Sequence, residues 1–303
     1  MSKVAKATQK SLIGDLKPAP GVKKVDPILV ADGVSKRYGG LQAIDVAHVE
    51  IPRNAIVALI GPNGAGKTTL FNILTGFETA DSGDWSFDGK PLRGKAPHLL
   101  PKMGMVRTFQ LTKVLGLLTV MENMKLASLK QTGEKLLASF FPFLWNGQDR
   151  SLELEATDIL KRFKLYEKRA DFAAGLSGGQ RKLLEMARAL MTHPQLIMLD
   201  EPMAGVNPAL TESLLDHIID LKEEGMTVLF VEHDVAMVRK ISDWVIVMAE
   251  GKIVAEGLPD QVLKESAVID AYLGSHQDSD LGLATGRITL PSAAKAKSTR
   301  SEK

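Results

Sequence analysis

The nine residues Gly61-Pro-Asn-Gly-Ala-Gly-Lys-Thr-Thr69 follow directly on the continuous apolar run Ile56-Val-Ala-Leu-Ile60. No other feature restricts the possible folds as strongly. Five apolar residues bounded by Gly-Pro are too short for a helix and read as a strand buried on both faces, as in a parallel sheet covered by helices. Leu196-Ile-Met-Leu199 and Thr227-Val-Leu-Phe-Val231 repeat the pattern. An α/β fold with a mainly parallel sheet is therefore expected. Each run ends in polar residues: Gly61-Pro-Asn63, Asp200-Glu201 and Glu232-His233-Asp234. Ligands of open α/β sheets bind beyond the carboxyl ends of the strands, so the three polar groups are expected at one site.

Gly61–Thr69 fits the pattern G-x-x-x-x-G-K-[ST] of a phosphate loop. Its glycines let successive backbone N–H groups wrap a phosphate, Lys67 reaches the β and γ oxygens, and the Thr68 hydroxyl suits Mg²⁺. A helix is expected over Lys67–Thr75, with Gly76 as its stop. Beside such a loop, the paired acids gain roles. Asp200 can hold Mg²⁺ through water, and Glu201 can orient or deprotonate an attacking water.

A second glycine-bearing stretch is Gly175-Leu-Ser-Gly-Gly-Gln180, which leads into Arg181–Met191. Ser177 reads as an N-cap and Gln180 as the partner that closes a capping box. Leu183, Leu184, Ala187, Leu190 and Met191 mark a buried stripe. Gly178 and Gly179 each cost the helix about 1 kcal/mol against alanine. Bare N–H groups at the positive end of a helix dipole would suit the close approach of an anion.

Residues 28–53 and 84–90 are strand-like and rich in turns, with Asp88-Gly89 a tight turn, and predict a small antiparallel β subdomain. From about 112 to 192 the period turns helical; Leu152, Ala156, Ile159, Leu160 and Phe163 share one face. That region reads as a helical subdomain inserted into the core. Val245–Met248 and Lys252–Val254 around Glu250-Gly251 read as a hairpin. The 303 residues contain no cysteine, which excludes disulfides and thiolate zinc sites. Net charge is +2, but residues 1–26 hold six Lys and two Asp and residues 275–303 hold five basic and three acidic residues, so 27–274 is net negative. Both ends read as disordered tails flanking a domain over 27–274. A negative domain argues against a nucleic-acid groove. No secretory signal pattern is read, and the most apolar stretch, 136–145, is half the length a bilayer needs and contains Pro142. It reads first as subdomain core.

In order, Tyr38, Gly61–Thr69, Gln110, Leu176-Ser-Gly-Gly-Gln180, Leu196–Glu201 and His233 resemble the ATP-binding subunit of an ATP-binding cassette (ABC) transporter, over roughly residues 28–274. The resemblance implies a P-loop cassette that hydrolyses ATP with Mg²⁺. It implies that two cassettes face each other head to tail, with Ser177, Gly178, Gly179 and Gln180 of one capping the γ-phosphate in the phosphate loop of the other. Sequence geometry alone does not exclude contact within one chain, so that step rests on the resemblance. By the same resemblance Tyr38 stacks on adenine, Gln110 reaches Mg²⁺ and the attacking water, and His233 contacts the γ-phosphate. Asn63, Gly64, Ala65, Gly66 and Thr69 complete the phosphate cradle.

Where many cassettes have Ser-Ala-Leu-Asp after the catalytic glutamate, this chain has Met203-Ala-Gly-Val-Asn207-Pro208. Asn207 and Pro208 also suit an N-cap followed by Pro at the first helical position. With Phe71–Phe77, Val106–Gln110 and Val268–Gly274, this run is similar to the branched-chain amino-acid uptake ATPases. That likeness implies membrane permease subunits, a second ATPase subunit that is a paralogue or an identical copy, an extracytoplasmic substrate-binding protein, and a place on the cytoplasmic face of the inner membrane. The competing expectation is a soluble cassette ATPase acting on ribosomes or DNA. One phosphate loop and no heptad run argue against it.

Overall fold

The computed structural model describes residues 13, 16–108, 114–128 and 146–274. Gln110, the apolar stretch 136–145 and the tail 275–303 lie outside the described residues. In chain order the elements are strands β1 (Pro27–Tyr38), β2 (Leu41–Pro52) and β3 (Ile56–Ile60), helix α1 (Lys67–Leu74), strands β4 (Ser82–Phe87) and β5 (Lys90–Pro91), helix α2 (Leu100–Met103) and strand β6 (Met105–Arg107). Helices α3 (Val120–Ala127), α4 (Asn146–Arg162) and α5 (Gly178–Leu190) follow, then β7 (Leu196–Asp200), α6 (Pro208–Glu223), β8 (Thr227–Val231) and α7 (Val235–Ile241). Strands β9 (Trp244–Ala249) and β10 (Lys252–Gly257) and helices α8 (Pro259–Val262) and α9 (Ser266–Gly274) complete the described chain.

The main sheet runs β10-β9-β3-β8-β7-β6, parallel throughout except for the antiparallel edge pair β9–β10. A four-stranded antiparallel sheet, β2-β1-β4-β5, lies beside it. The continuous apolar runs follow from the main sheet having a core on each face. Ile56, Ala58, Ile60, Ile197, Leu199, Val228 and Phe230 enter one core with α3 to α6. Their alternate neighbours Val57, Leu59, Leu196, Met198, Leu229 and Val231 enter the other, shared with α1 and the antiparallel sheet. Every residue of β3, β7 and β8 is buried, so no strand position is left for the polar half of an alternating pattern.

The tight turns stand where the sequence sets them. Asp88 and Gly89, both at positive φ, join β4 to β5, and Glu250 and Gly251 do the same for β9 and β10. Leu152, Ala156, Leu160 and Phe163 are buried along one face of α4 and just beyond it.

Within the segment 1–26, expected to be a tail, Val22 and Lys24 are fastened to the domain, although most of residues 16–26 stay exposed. The N–H of Val22 donates to Glu256 Oε1 (2.9 Å), the Lys24 ammonium pairs with Glu256, and the N–H of Lys24 donates to Glu50. Trp244 Nε1 donates to the same Glu256 (2.9 Å), with the Lys24 ammonium over its ring. Glu256 is wholly buried on β10, and a carboxylate buried there requires a cation and several donors. Composition made the segment look like a tail; the acid that recruits it lies 232 residues away.

Candidate active site

The three strand ends predicted to converge do so at the carboxyl end of the main sheet. An open cleft of about 1260 Å³ is lined by Asn63 to Thr69, Tyr38, Glu201 and His233. Gly61 lies beneath the loop, where its close packing is strict: at φ 149° a β-carbon would sit 2.1 Å from the Met248 carbonyl oxygen. At Gly66 (φ 99°) it would sit 2.7 Å from the Ala43 carbonyl. The loop is thus wedged between the main sheet and β2, and the β9–β10 turn props it through Gly251 N–H to the Ala65 carbonyl (3.1 Å).

Gly66 caps α1 without any side-chain hydrogen bond, so the first-turn N–H groups are presented to an anion at the positive end of the helix dipole. Lys67 is buried and folds back on its own loop, donating from Nζ to the carbonyls of Gly61 (2.7 Å) and Pro62 (2.9 Å). Burial pulls its pKa down, opposed by the carboxylates of Glu201 and Asp200. Thr68 is exposed on the cleft. Tyr38 is also exposed at the cleft wall, its hydroxyl donating to Glu78, which pushes that hydroxyl up to about 12.

The paired acids part at the end of β7. Glu201 adopts φ 47°, a left-handed conformation that costs a non-glycine residue on the order of 1 kcal/mol. This turn sends its carboxylate into the cleft, where Oε1 lies 2.8 Å from His233 Nε2. Asp200 is held instead by a buried cation, within electrostatic reach of Lys67. Its Oδ2 accepts from Arg107 at 2.8 Å, with both side chains only 6% exposed. The same guanidinium reaches Asn72 Oδ1 (2.7 Å) and Thr75 Oγ1 (3.1 Å) at the end of α1. Arg107 thus links the phosphate-loop helix to the second acid strand, a role sequence reasoning missed. No sequence signal placed Arg107 beside Asp200, because the short strand that carries it, Met105–Arg107, was not read there.

The Ser177–Gln180 tip does not line the cleft of its own chain. Its capping box is formed, with Ser177 N–H donating to Gln180 Oε1 (3.0 Å) and Gln180 N–H to Ser177 Oγ (3.3 Å). Ser177 and Gly178 are exposed. Gly179 has a reason within the chain that the sequence did not reveal: a β-carbon there would meet Leu210 Cδ2 at 2.0 Å, because the start of α6 packs under the tip. Asn207 caps α6, accepting from the Leu210 N–H at 2.9 Å.

A phosphate loop at a strand end, paired acids two strands away and an exposed, capped helix tip outside the cleft define a P-loop nucleotide hydrolase of the cassette kind. The ABC transporter family matches residues 44–204. A probable branched-chain amino acid transport ATP-binding protein of Archaeoglobus fulgidus is 40% identical over 84% of this chain and 98% of its own length. The high-affinity branched-chain amino acid transport ATP-binding protein LivG of Escherichia coli is 39% identical over 82% of this chain and 98% of its own. Among solved structures, an ABC transporter's ATP-binding cassette in its ADP conformation superposes with a TM-score of 0.71 at 38% identity, covering 82% of this chain and all of that one. A dimeric cassette in a post-hydrolysis state, bound to ADP and phosphate, superposes with a TM-score of 0.64 at 25% identity over 76% of this chain and 98% of that one. The chain belongs to the ABC transporter family, as an ATP-binding subunit that hydrolyses ATP.

Proposed function

We propose that this ATPase powers the import of branched-chain or related amino acids, as one of two cassettes under a pair of membrane permease subunits fed by an extracytoplasmic binding protein. The observation that carries the reading is the split between the cleft and the helix tip. The phosphate loop, Glu201 and His233 share one cleft, while Ser177 and Gly178 are exposed elsewhere on the same chain. A second cassette, placed head to tail, supplies the missing wall of each cleft.

In this reading Lys67 and the loop N–H groups bind the triphosphate, Tyr38 stacks on adenine, and Glu201 orients the attacking water. His233, now bonded to Glu201, turns to the γ-phosphate. Thr68 and Asp200 offer Mg²⁺ the hard oxygen donors it prefers, and Gln110 joins them. The ion would neutralise charge on the phosphoryl group. The substrate class rests on the names carried by relatives that this chain covers almost end to end.

Among the described residues no helix is long and apolar enough to cross a membrane; in this reading the permease subunits hold the chain at the inner face of the membrane. Leu115, Leu117 and Phe172 expose large apolar surface around the segment after residue 113, with Leu117 91% exposed. Such a patch suits a membrane-protein partner.

The test is uptake of radiolabelled leucine, isoleucine and valine by vesicles holding the complete transporter with ATP on the cassette side. ATP-dependent uptake that Lys67→Ala abolishes is expected. ATPase activity stimulated by ribosomes or DNA, without uptake, would reverse the assignment in favour of a soluble cassette.

A further inference from the structure

The loop that follows Asp200 and Glu201 is held from two sides by charged groups outside the recognised motifs. Lys182, on the second turn of α5, donates from Nζ to the carbonyls of Glu201 (3.0 Å) and Ala204 (2.6 Å). Across the loop, Glu232 follows directly on β8 and is 5% exposed. Its carboxylate accepts from the N–H of Met203 (2.9 Å) and of His233 (3.2 Å). Burial lowers the Lys182 pKa and raises that of Glu232; Glu232 is buried, whereas Lys182 is half-buried and its contact with the Ala204 carbonyl faces solvent. Charge-assisted hydrogen bonds formed away from water are strong and geometrically specific. At the far end of the loop, Leu210 and Val206 pack against the backbone of Gly179.

We propose that Lys182 is a positioning residue: it ties the tip of α5 to the backbone of Glu201, with Glu232 as the opposing anchor. Seating the tip on a nucleotide in the partner cassette then sets the carboxylate of the chain's own site. The inference rests on the roles given above to Glu201 and to the helix tip. Lys182 lies five residues beyond Ser177 on one helix, about 7 Å along its axis, so a movement of the tip reaches it with little loss. Glu201 sits at φ 47°, a narrow conformational well in which a displaced carbonyl carries the side chain with it. His233 is drawn into the same unit, by its N–H to Glu232 and by Nε2 to Glu201 (2.8 Å). Each cleft is thereby wired to the occupancy of the other.

The test compares full-length wild type, Lys182→Met, Lys182→Arg, Glu201→Gln and the double variant Lys182→Met/Glu201→Gln, with ATP and Mg²⁺. Lys182→Met is expected to lose about ten- to a hundredfold in kcat, to keep wild-type affinity for a fluorescent ATP analogue, and to lose cooperativity in ATP. Lys182→Arg restores a cation and is expected to recover most of the rate. The double variant should turn over no more slowly than Glu201→Gln alone and should still pair with ATP on a sizing column. Wild-type kcat and cooperativity in Lys182→Met would overturn the inference, as would loss of ATP-driven pairing in the double variant, which would assign Lys182 to the tip itself. A lowered melting temperature with equal loss of rate in the Met and Arg variants would also overturn it, as a matter of loop stability. Wild-type turnover by Glu201→Gln would instead remove the underlying reading of Glu201, whatever Lys182 does.

Discussion

Arg107 and Asp200 are the pair on which the acidic end of the cleft is built, with both side chains buried. Removing one member of a buried ion pair strands the other charge and typically costs about 3–5 kcal/mol. Arg107→Met is accordingly expected to lower unfolding stability by about 3 kcal/mol in urea titrations, whereas an exposed basic residue such as Lys252 should cost less than about 0.5 kcal/mol. Lys67→Ala should bind ATP far more weakly in equilibrium titration, and Glu201→Gln should bind normally while turnover collapses. The phosphate loop and the Asp-Glu pair were legible from sequence because each is a contiguous run whose spacing is the chemistry. The Arg107–Asp200 contact spans 93 positions, and nothing local announces it. Gly179 shows the same limit from the other side: both glycines looked like anion contacts, and one of them is also required by Leu210.

At the scale of elements, the strands were legible because two cores demand apolar side chains on both faces, and the helix starts because caps are local. The capping box at Ser177 and the Asn207-Pro208 entry to α6 need only three or four neighbouring residues. The contacts of Val22 and Lys24 were not legible, since they are made to Glu256 and Glu50 on two different sheets. Where α6 meets the end of α4, His217 is buried, stacks on Phe163 at 4.3 Å between ring centroids, and has no hydrogen-bond partner at either ring nitrogen among the described residues. Burial, aided by Arg162 and Lys164, depresses its pKa below 6.5 against the opposing pull of Asp220 and Asp216. The folded chain therefore binds fewer protons than the unfolded one below that pH. The stability tied to neutral His217 is complete above about 6.5 and declines as pH falls toward the folded pKa. His217→Leu removes this linkage and two unsatisfied nitrogens, so its melting temperature should fall less than that of wild type between pH 7.5 and 5.5 (values set about the ordinary histidine pKa), read by calorimetry.

For the whole molecule, the question is which surfaces are completed by other chains. Leu117 is 91% exposed beside Leu115 and Phe172. Leu117→Asp should leave the ATPase activity and melting temperature of the isolated cassette unchanged yet reduce its recovery with the membrane subunits on affinity purification. The cleft is open where the proposed reading places a second cassette's helix tip, and dimeric cassettes of similar fold exist. That completion could not be read from spacing: the sequence left contact within one chain open, and only the separation of the tip from its own cleft argues for a neighbour. The most direct measurement is the mass of full-length Glu201→Gln by light scattering, alone and with its cognate second cassette. With ATP and Mg²⁺ a two-cassette particle is predicted, falling apart when ADP replaces ATP. A strictly single cassette under saturating ATP and Mg²⁺, in both mixtures, would contradict the account.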